Sequence, residues 1–384
     1  MIPYGRQDIS QPDIDAVVEV LKSDFLTQGP VVPRFEAAIA KKVDASFGVA
    51  VNSATSALHI AASALGLGPG DLLWTSPITF VASANSARYC GADVDFVDID
   101  PDTYNMCPTA LEKKLDQAEK NGRLPKILMP VHMCGQSCSM KEISELARSR
   151  GIRVIEDASH AIGGQYHGKP IGCCAYSDIT VFSFHPVKIV TTAEGGMAIT
   201  NDGALYKRMC LLRSHGVTRD PDIMESEPHG PWYYEQLELG WNYRMTELQA
   251  ALGLSQLTRL DDFVERRTRL ADRYDQLLQG QPLLLPTRQS DSQSSHHLYV
   301  VRLKDGNHLA RRDAFDRLRA DGIGVNVHYI PVHLQPYYEN LGFQRGDFPH
   351  SESYYEQALS LPLFAGMTDD QQEKVVHSIG QALA

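Results

Sequence analysis

Lys188 stands in a setting that favours covalent chemistry by an amine. It lies between an apolar run, ITVFSF, and a glycine-rich return, and its neighbours are apolar or small. Loss of hydration in such a setting lowers the pKa of a lysine below its usual value of about 10.4 and leaves a nucleophilic amine. Taken alone, however, Lys188 would be interpreted as a solvated loop lysine. A catalytic role therefore has to be argued from other segments that could form a site with it.

A second segment suits a phosphate group. Residues 52–55, NSAT, stand between the end of an apolar run and the start of a helical pattern. Backbone N–H groups and the helix dipole attract a dianion at such a helix start, and Ala54 lets the backbone approach closely. Ser183, five positions before Lys188, could reach the same phosphate. The alternative is that Ser53 or Thr55 only caps the helix.

A third segment suits an aromatic nitrogen heterocycle. Asp157 directly follows the run IRVIE, where its carboxylate could keep a pyridine nitrogen protonated and make the ring an electron sink. His160 could bond to a phenolic oxygen of that ring, and Phe80 could stack on its face. The alternatives are a helix cap, a turn histidine and a core phenylalanine. Together with Lys188, these groups predict pyridoxal phosphate (PLP) as the cofactor.

The elements that must position these residues are short apolar runs separated by helix-length segments. The runs are FGVAV (47–51), LLWT (72–75), VDFVDI (94–99), KILMPV (126–131), IRVIE (152–156), ITVFSF (179–184) and GMAIT (196–200). Because the runs are apolar on both faces, they predict an α/β fold with a mostly parallel seven-stranded sheet between helices. Ligands bind beyond the carboxyl ends of such strands, where Asp157 and Ser183 are placed.

The sequence after residue 245 predicts a smaller α+β domain. Thr246 and Gln249 form a capping box, and the leucine spacing from 248 to 278 predicts one long connecting helix. It is followed by a predicted strand at 296–303, a helix near 311–321 and a strand at 323–331. We therefore expect an N-terminal arm and large PLP-binding domain over residues 1–245, and a connecting helix and small C-terminal domain over 246–384.

Composition excludes several other classes. The 384 residues carry a formal net charge of −11, which argues against a nucleic-acid or anionic-membrane partner. No apolar run is long enough to span a bilayer, and seven cysteines without an export segment predict a cytoplasmic protein. A zinc site at His132, Cys134 and Cys138 is an alternative to buried or loop thiols, but no second ligand pair follows, so we expect no metal.

The motifs GLGPGD, TFVASANSARYCGA, VDIDPDTYNM, IEDASHAIGG, SFHPVK, TAEGG and NYRMTELQAALG occur in this order. In them the chain resembles the DegT/DnrJ/EryC1/StrS sugar aminotransferases over nearly its whole length. NSATSAL with SFHPVKIVTTAEGG looks most like the UDP-4-amino-4,6-dideoxy-N-acetyl-β-L-altrosamine transaminases of pseudaminic acid biosynthesis. A role in flagellin glycosylation, or alternatively in capsule glycosylation, would follow from that resemblance. The resemblance implies the PLP-dependent transferase fold type I and a homodimer whose active sites combine both subunits.

The resemblance also assigns roles to individual residues. Lys188 would form the Schiff base with PLP and then move protons, Asp157 would pair with the pyridine nitrogen, and His160 would meet the phenolic oxygen. Phe80 would stack on the ring, while Asn242, which alone would be interpreted as a turn residue, would reach the partner's phosphate. The phosphate of the same subunit would be bound by Ala54, Thr55 and Ser183.

Contacts to the sugar are expected from three segments and one loop histidine. The resemblance gives Tyr4, Leu26, Thr27, Gln28, Asn326, His328 and Tyr329, and His185 joins them because it adjoins the lysine. The alternatives are an arm tyrosine, a polar turn, the exposed end of a strand and a loop histidine without function.

The reaction implied by the resemblance moves the amino group of L-glutamate to C4 of a UDP-linked 4-keto-6-deoxy-N-acetylhexosamine. The product would be UDP-4-amino-4,6-dideoxy-N-acetyl-β-L-altrosamine. Lys188 argues against the family's dehydratase variants, which have histidine in its place. Alternatives are a UDP-pentose-4-ulose or dTDP-4-keto-6-deoxyhexose as acceptor, a non-catalytic PLP or sugar-nucleotide sensor, and another fold-type-I reaction such as a desulfurase or aldolase.

Overall fold

Strands and helices alternate along the computed structural model, which describes residues 1–304, 306 and 308–383. In this part of the chain the strands are β1 (Ile2–Pro3), β2 (Phe47–Val51), β3 (Leu72–Thr75), β4 (Asp93–Phe96), β5 (Ile127–Met129), β6 (Arg153–Asp157), β7 (Gln165–Tyr166), β8 (Lys169–Pro170), β9 (Ile179–Ser183), β10 (Gly196–Thr200), β11 (Val217–Thr218), β12 (Glu235–Gln236), β13 (Leu283–Leu284), β14 (Ser292–Gln293), β15 (Tyr299–Leu303), β16 (Ile323–Gly324) and β17 (Ala358–Leu361). The helices are α1 (Gln11–Leu21), α2 (Val31–Lys42), α3 (Ala54–Ala64), α4 (Ala82–Tyr89), α5 (Pro108–Lys120), α6 (Met140–Arg148), α7 (Gly203–Leu212), α8 (Glu247–Leu257), α9 (Leu260–Leu277), α10 (His308–Ala320), α11 (Pro336–Glu339), α12 (Pro349–Gln357) and α13 (Asp369–Ala382).

The seven predicted apolar runs join in one sheet, in the order β2-β10-β9-β6-β5-β3-β4. The strands from β9 to β4 are parallel neighbours, and β10 is antiparallel to both β9 and β2. The predicted mostly parallel seven-stranded sheet is therefore confirmed, although β4 ends at Phe96 rather than at residue 99.

Both faces of this sheet are buried, which explains why its strands are apolar at consecutive positions. On β9, Val181 packs into the cluster that contains Leu58 of α3, whereas the next residue, Phe182, packs into the cluster that contains Phe35 of α2. All four side chains are at most 1% exposed. Since successive strand residues point to opposite faces, each face needs apolar side chains and a helical cover.

Strand β10 brings a glycine against the start of α3. Gly196 is paired with Ser183 on one side and with Val51 on the other, so the three residues form a row at one edge of the sheet. A Cβ on Gly196 would lie 2.5 Å from the backbone nitrogen of Ala54 and 2.6 Å from the carbonyl carbon of Ser53. Only glycine allows this approach between a strand and a helix N-terminus.

The C-terminal part of the chain builds a second, antiparallel sheet in the order β13-β15-β17. Its apolar cluster combines α9, α10 and α13 with the strands, and it also includes Ile2 from the N-terminal arm. That arm is joined to the cluster because β1 pairs with β16 in parallel. The domain boundary at residue 245 stays a prediction.

The single connecting helix predicted after Thr246 is wrong. The capping box of Thr246 and Gln249 is confirmed, but the helix ends at Leu257 and α9 starts at Leu260. At the break, the N–H groups of Thr258 and Arg259 bond to carbonyls three residues back. The Arg259 guanidinium also binds Asp8 and Asp13 of the arm, and these long-range ion pairs have no signature in the leucine spacing.

The strand predicted over 323–331 is also shorter than expected, because only Ile323–Gly324 pairs with another strand. Beyond it the chain leaves the sheet after a single bridge from Asn326 to Ser360. None of the helices within the described residues is both long and apolar enough to cross a membrane.

Gly196→Ala should lower the free energy of unfolding by roughly 1–3 kcal/mol, the usual cost of forcing a methyl group into full packing. The reason is that its Cβ would overlap the backbone at Ala54. Urea denaturation followed by circular dichroism measures the change. Gly203→Ala is the matched control, since a Cβ there would meet only the Phe47 ring at 3.8 Å. Equal losses in the two variants would contradict the prediction.

Candidate active site

A cavity of about 750 Å³ lies at the carboxyl ends of the central strands. Most residues predicted to carry chemistry line it, and these are Tyr4, Ala54, Thr55, Phe80, Asp157, His160, Ser183, His185, Lys188, His328 and Tyr329. They come from widely separated segments, which the sheet brings to a single edge.

The N-terminus of α3 forms one wall of the cavity. Ser53 caps the helix, since its Oγ accepts a hydrogen bond of 3.1 Å from the Ser56 N–H. The N–H groups of Ala54 and Thr55 lie in the first turn, where a helix leaves its amides without helical partners. Ser183, at the end of β9, lines the same cavity. The two readings of residues 52–55 are therefore compatible, because capping by Ser53 leaves neighbouring donors free for an anion.

Asp157 is the buried acid of the cavity, with 4% of its surface exposed. Its Oδ2 accepts a hydrogen bond of 2.6 Å from the Ser83 hydroxyl, and its Oδ1 accepts one of 3.1 Å from the Ser159 N–H. The Ser83 hydroxyl is in turn 2.7 Å from that of Thr79. Each carboxylate oxygen thus has a hydrogen-bond donor.

Lys188 is half-buried in the loop that follows β9, and its N–H donates to the carbonyl of His185. Burial lowers the pKa of the Lys188 amine from 10.5 to about 8, and the negative charge of Asp157 opposes this shift. The desolvation expected from the sequence is therefore present. An amine with this pKa is partly neutral at physiological pH and can act as a nucleophile or a base.

Two histidines lie against each other beside the lysine. His160 Nε2 is 3.1 Å from the Tyr329 hydroxyl, and the His160 ring lies 4.4 Å from that of His297. Burial, with the nearby Lys188 charge, lowers the pKa of both histidines well below 6.5. Both are therefore neutral at physiological pH, and among the described residues no hydrogen-bond partner meets their buried Nδ1 atoms.

Sequence reasoning missed Thr79, Ser83 and His297, all of which line the cavity. Ser83 lies three positions after Phe80, in the first turn of α4, so the helical spacing was the available signal. His297 is placed by Arg267, whose guanidinium donates to the carbonyls of His296, His297 and Leu363. These hydrogen bonds join residues that are far apart in the sequence, so no local sequence pattern predicts them.

The mouth of the cavity is aromatic. Phe80 is 60% exposed, and its ring lies 6.3 Å from that of Tyr329. Tyr4 lies 5.1 Å from the His328 ring and reaches the cavity because β1 pairs with β16. His185 is exposed at the same opening.

Five predicted site residues are not among the described residues that line this cavity. They are Leu26, Thr27, Gln28, Asn242 and Asn326. Thr27 forms a bridge with Thr246, and Asn242 is exposed beside Asn52, whose side chain donates to its carbonyl. Asn326 contacts one cavity residue, since its side-chain amide nitrogen is 3.4 Å from His328 Nε2. Their proposed roles in binding stay predictions.

The histidine of the zinc alternative has other partners. His132 Nδ1 accepts a hydrogen bond from the Cys138 N–H, so Nε2 carries the proton that it donates to Glu156 at 2.7 Å. Glu156, which precedes Asp157 on β6, also accepts hydrogen bonds from the hydroxyls of Ser177 and Thr180. Within the described residues, no group of three or more candidate ligands could hold a metal ion.

The cavity fits the predicted cofactor. The start of α3 offers donors to a phosphate, Asp157 offers a carboxylate to a ring nitrogen, and Lys188 offers a partly neutral amine. The unpartnered Nδ1 of His160 also leaves a buried polar atom for which a bound group could supply a partner.

Comparison with known proteins agrees with this chemistry. The model of the DegT/DnrJ/EryC1/StrS aminotransferase family matches residues 7–380. The spore coat polysaccharide biosynthesis protein SpsC of Bacillus subtilis is 40% identical, over 98% of this chain and 96% of the relative. A UDP-4-amino-4,6-dideoxy-N-acetyl-β-L-altrosamine transaminase of Campylobacter jejuni is 38% identical, over 94% and 92%. The GDP-perosamine synthase of Caulobacter vibrioides is 36% identical, over the whole of both chains.

Solved structures are similar along the whole chain. PseC of Helicobacter pylori, an aminotransferase involved in the biosynthesis of pseudoaminic acid, superposes with a TM-score of 0.91 at 30% identity, over 100% of this chain and 99% of that one. The PLP form of Spr1654 from Streptococcus pneumoniae superposes with a TM-score of 0.91 at 30% identity, over 99% and 98%. The chain therefore belongs to the DegT/DnrJ/EryC1/StrS aminotransferase family and is a PLP-dependent sugar aminotransferase.

Proposed function

We propose that the enzyme transfers the amino group of L-glutamate to C4 of a UDP-linked 4-keto-6-deoxy-N-acetylhexosamine, giving UDP-4-amino-4,6-dideoxy-N-acetyl-β-L-altrosamine. The observation that carries this substrate is the 38% identity, over 94% of the chain, with the transaminase of that product. The NSATSAL and SFHPVKIVTTAEGG segments lie around the cavity and support it.

In this proposal PLP, when bound, supplies the electron sink that lets an amino group be exchanged for a carbonyl. Asp157 would bind the pyridine nitrogen, the N–H groups of Ala54 and Thr55 would bind the phosphate, and Phe80 would cover one face of the ring. The sugar nucleotide lies towards Tyr4 and the histidines of the cavity mouth.

Lys188 is the proton carrier of the proposed reaction. Its Nζ removes the proton from Cα of glutamate and, in the second half of the cycle, delivers a proton to C4 of the sugar. Because Nζ approaches the sugar from one side only, a single C4 epimer is formed.

A second candidate acceptor is another nucleotide-linked 4-keto sugar. The 36% identity with a GDP-perosamine synthase over the full length of both chains favours this class. UDP-pentose-4-ulose and dTDP-4-keto-6-deoxyhexose belong to it as well. The residues around Lys188 would act in the same way, and only the contacts to the sugar and nucleotide would differ.

We also propose a homodimer with shared active sites. The arm exposes Ile14, Leu21, Phe25 and Leu26, each between 48% and 57% exposed. An exposed apolar patch of this kind is typical of an interface. A second copy packed there would let Asn242 and residues 26–28 face the partner's cavity rather than their own. The predicted cytoplasmic location stays a prediction.

Cofactor capture by the cofactor-free protein should depend on the titration of Lys188. Only the neutral amine attacks an aldehyde, so the rate should rise with pH and level off above the lowered pKa of about 8. Stopped-flow absorbance of the Schiff-base band across a pH series measures it, with Lys188→Ala as the control that forms no band. A rate that keeps rising towards the ordinary lysine pKa would contradict this.

A panel of nucleotide 4-keto sugars should separate the candidate acceptors. With glutamate, the UDP-linked 4-keto-6-deoxy-N-acetylhexosamine should give a 4-amino sugar and 2-oxoglutarate, detected by mass spectrometry, and proton NMR should show one C4 epimer. Lys188→Ala is the inactive control. Turnover of the GDP- or dTDP-linked ketone alone would reject the altrosamine product while leaving the aminotransferase class intact.

Mixed dimers should reveal shared sites. Lys188→Ala and Asn242→Ala should each be impaired alone, because each removes one group from every site. When the two variants are unfolded together and refolded, a mixed dimer carries one intact site, so activity should return to roughly a quarter of wild type for random pairing. Refolding each variant alone is the control. A mixture no more active than its components would contradict shared sites.

A further inference from the structure

A chain of two hydroxyl groups ends on the buried carboxylate of Asp157. The Ser83 hydroxyl lies 2.6 Å from Asp157 Oδ2, and the Thr79 hydroxyl lies 2.7 Å from that of Ser83. Ser83 is 1% exposed and Thr79 is 3% exposed, and both line the cavity. Neither residue belongs to the set to which the sequence motifs assign a role.

The direction of the chain follows from the number of protons available. An ionised carboxylate only accepts, so Ser83 gives its single hydroxyl proton to Asp157. The Oγ of Ser83 must then accept the proton of Thr79. Donors aligned in this way polarise one another, and the low dielectric of the buried site strengthens the effect.

We propose that Ser83, supported by Thr79, is a positioning residue that holds the Asp157 carboxylate in the orientation that faces the ring nitrogen of the cofactor. The proposal rests on the proposed placement of that ring at Asp157. The Ser83 hydroxyl holds one oxygen of Asp157 and the Ser159 N–H holds the other, so the carboxylate keeps a fixed geometry. In that geometry Asp157 would accept a hydrogen bond from the protonated ring nitrogen, the form that the electron sink needs.

The position of Ser83 at the start of α4 places it close in sequence to Phe80, the residue proposed to cover one face of the cofactor ring. Phe80 lies three residues earlier, and its carbonyl accepts the Ser83 N–H. One short segment thus carries both the aromatic side chain at the cavity mouth and the donor to the acid. The second oxygen of Asp157 depends on the Ser159 N–H, which a side-chain substitution at Ser83 leaves in place.

The test uses the holoenzyme loaded with PLP that carries ¹⁵N in the pyridine ring. The ¹⁵N chemical shift reports directly whether the nitrogen is protonated. In Ser83→Ala we expect the resonance to move towards the unprotonated value, and kcat to fall roughly tenfold, the effect of one hydrogen bond to a charged group, with KM little changed. Thr79→Val keeps the Ser83 bond and should move the resonance in the same direction by less.

Ser86→Ala is the matched control. Ser86 is fully buried on the same helix, and its hydroxyl donates to the carbonyl of Ser83 rather than to Asp157. It should leave the ¹⁵N resonance at the wild-type position. An equal shift in Ser86→Ala and Ser83→Ala would overturn the proposal, because general disturbance of α4 would then explain both.

Asp157→Asn distinguishes failure of the role proposed for Ser83 from failure of the proposed placement of the cofactor ring at Asp157. If it moves the resonance and Ser83→Ala does not, the hydroxyl chain is overturned and the placement of the cofactor stands. If neither variant moves it, the placement at Asp157 fails, and the inference fails with it. Should Ser83→Ala not fold, Thr79→Val decides, and an unmoved resonance in that variant overturns the hydroxyl chain.

Discussion

A carboxylate buried at the end of a central strand is the constraint on which the rest of the site depends. Asp157 would be costly to bury in ionised form without donors, and Ser83 and Ser159 supply one to each oxygen. Its charge also partly offsets the desolvation that lowers the pKa of Lys188. The environment of the Lys188 amine thus includes the Asp157 carboxylate. The two donors to that carboxylate lie on α4 and in the turn after β6, so both segments position the acid.

The second requirement is steric. Strands β2 and β9 end beside Gly196, the first residue of the antiparallel strand β10, and the start of α3 packs on that glycine. This contact sets the distance between the amides of Ala54 and Thr55 and the loop that carries Lys188. A cofactor that uses a phosphate, a ring nitrogen and a carbonyl needs all three anchors at fixed separation. A rigid sheet edge can provide this better than a loop.

The remainder of the cavity comes from parts of the chain that are distant in sequence. Arg267 fixes the segment with His297 through three backbone carbonyls, and pairing of β1 with β16 carries Tyr4 to the mouth. These contacts shape the region proposed for the sugar. Relatives that differ in nucleotide or sugar can therefore share the aminotransferase machinery, because the machinery and the specificity contacts rest on different elements.

The sequence by itself determined the central sheet and most of the cavity wall. Apolar runs buried on both faces are a local signal, and residues such as Asp157 and Ser183 follow directly from where those runs end. Tertiary structure alone decided the break between α8 and α9, beside which Arg259 forms ion pairs with Asp8 and Asp13 of the arm. It also decided that Ser83 reaches Asp157 and that Asn242 lies outside the cavity of its own chain. The physical reason is the sequence separation of the interacting residues. The periodicity of apolar residues shows which face of a helix or strand is buried, whereas a hydrogen bond between distant segments depends on how those elements pack together.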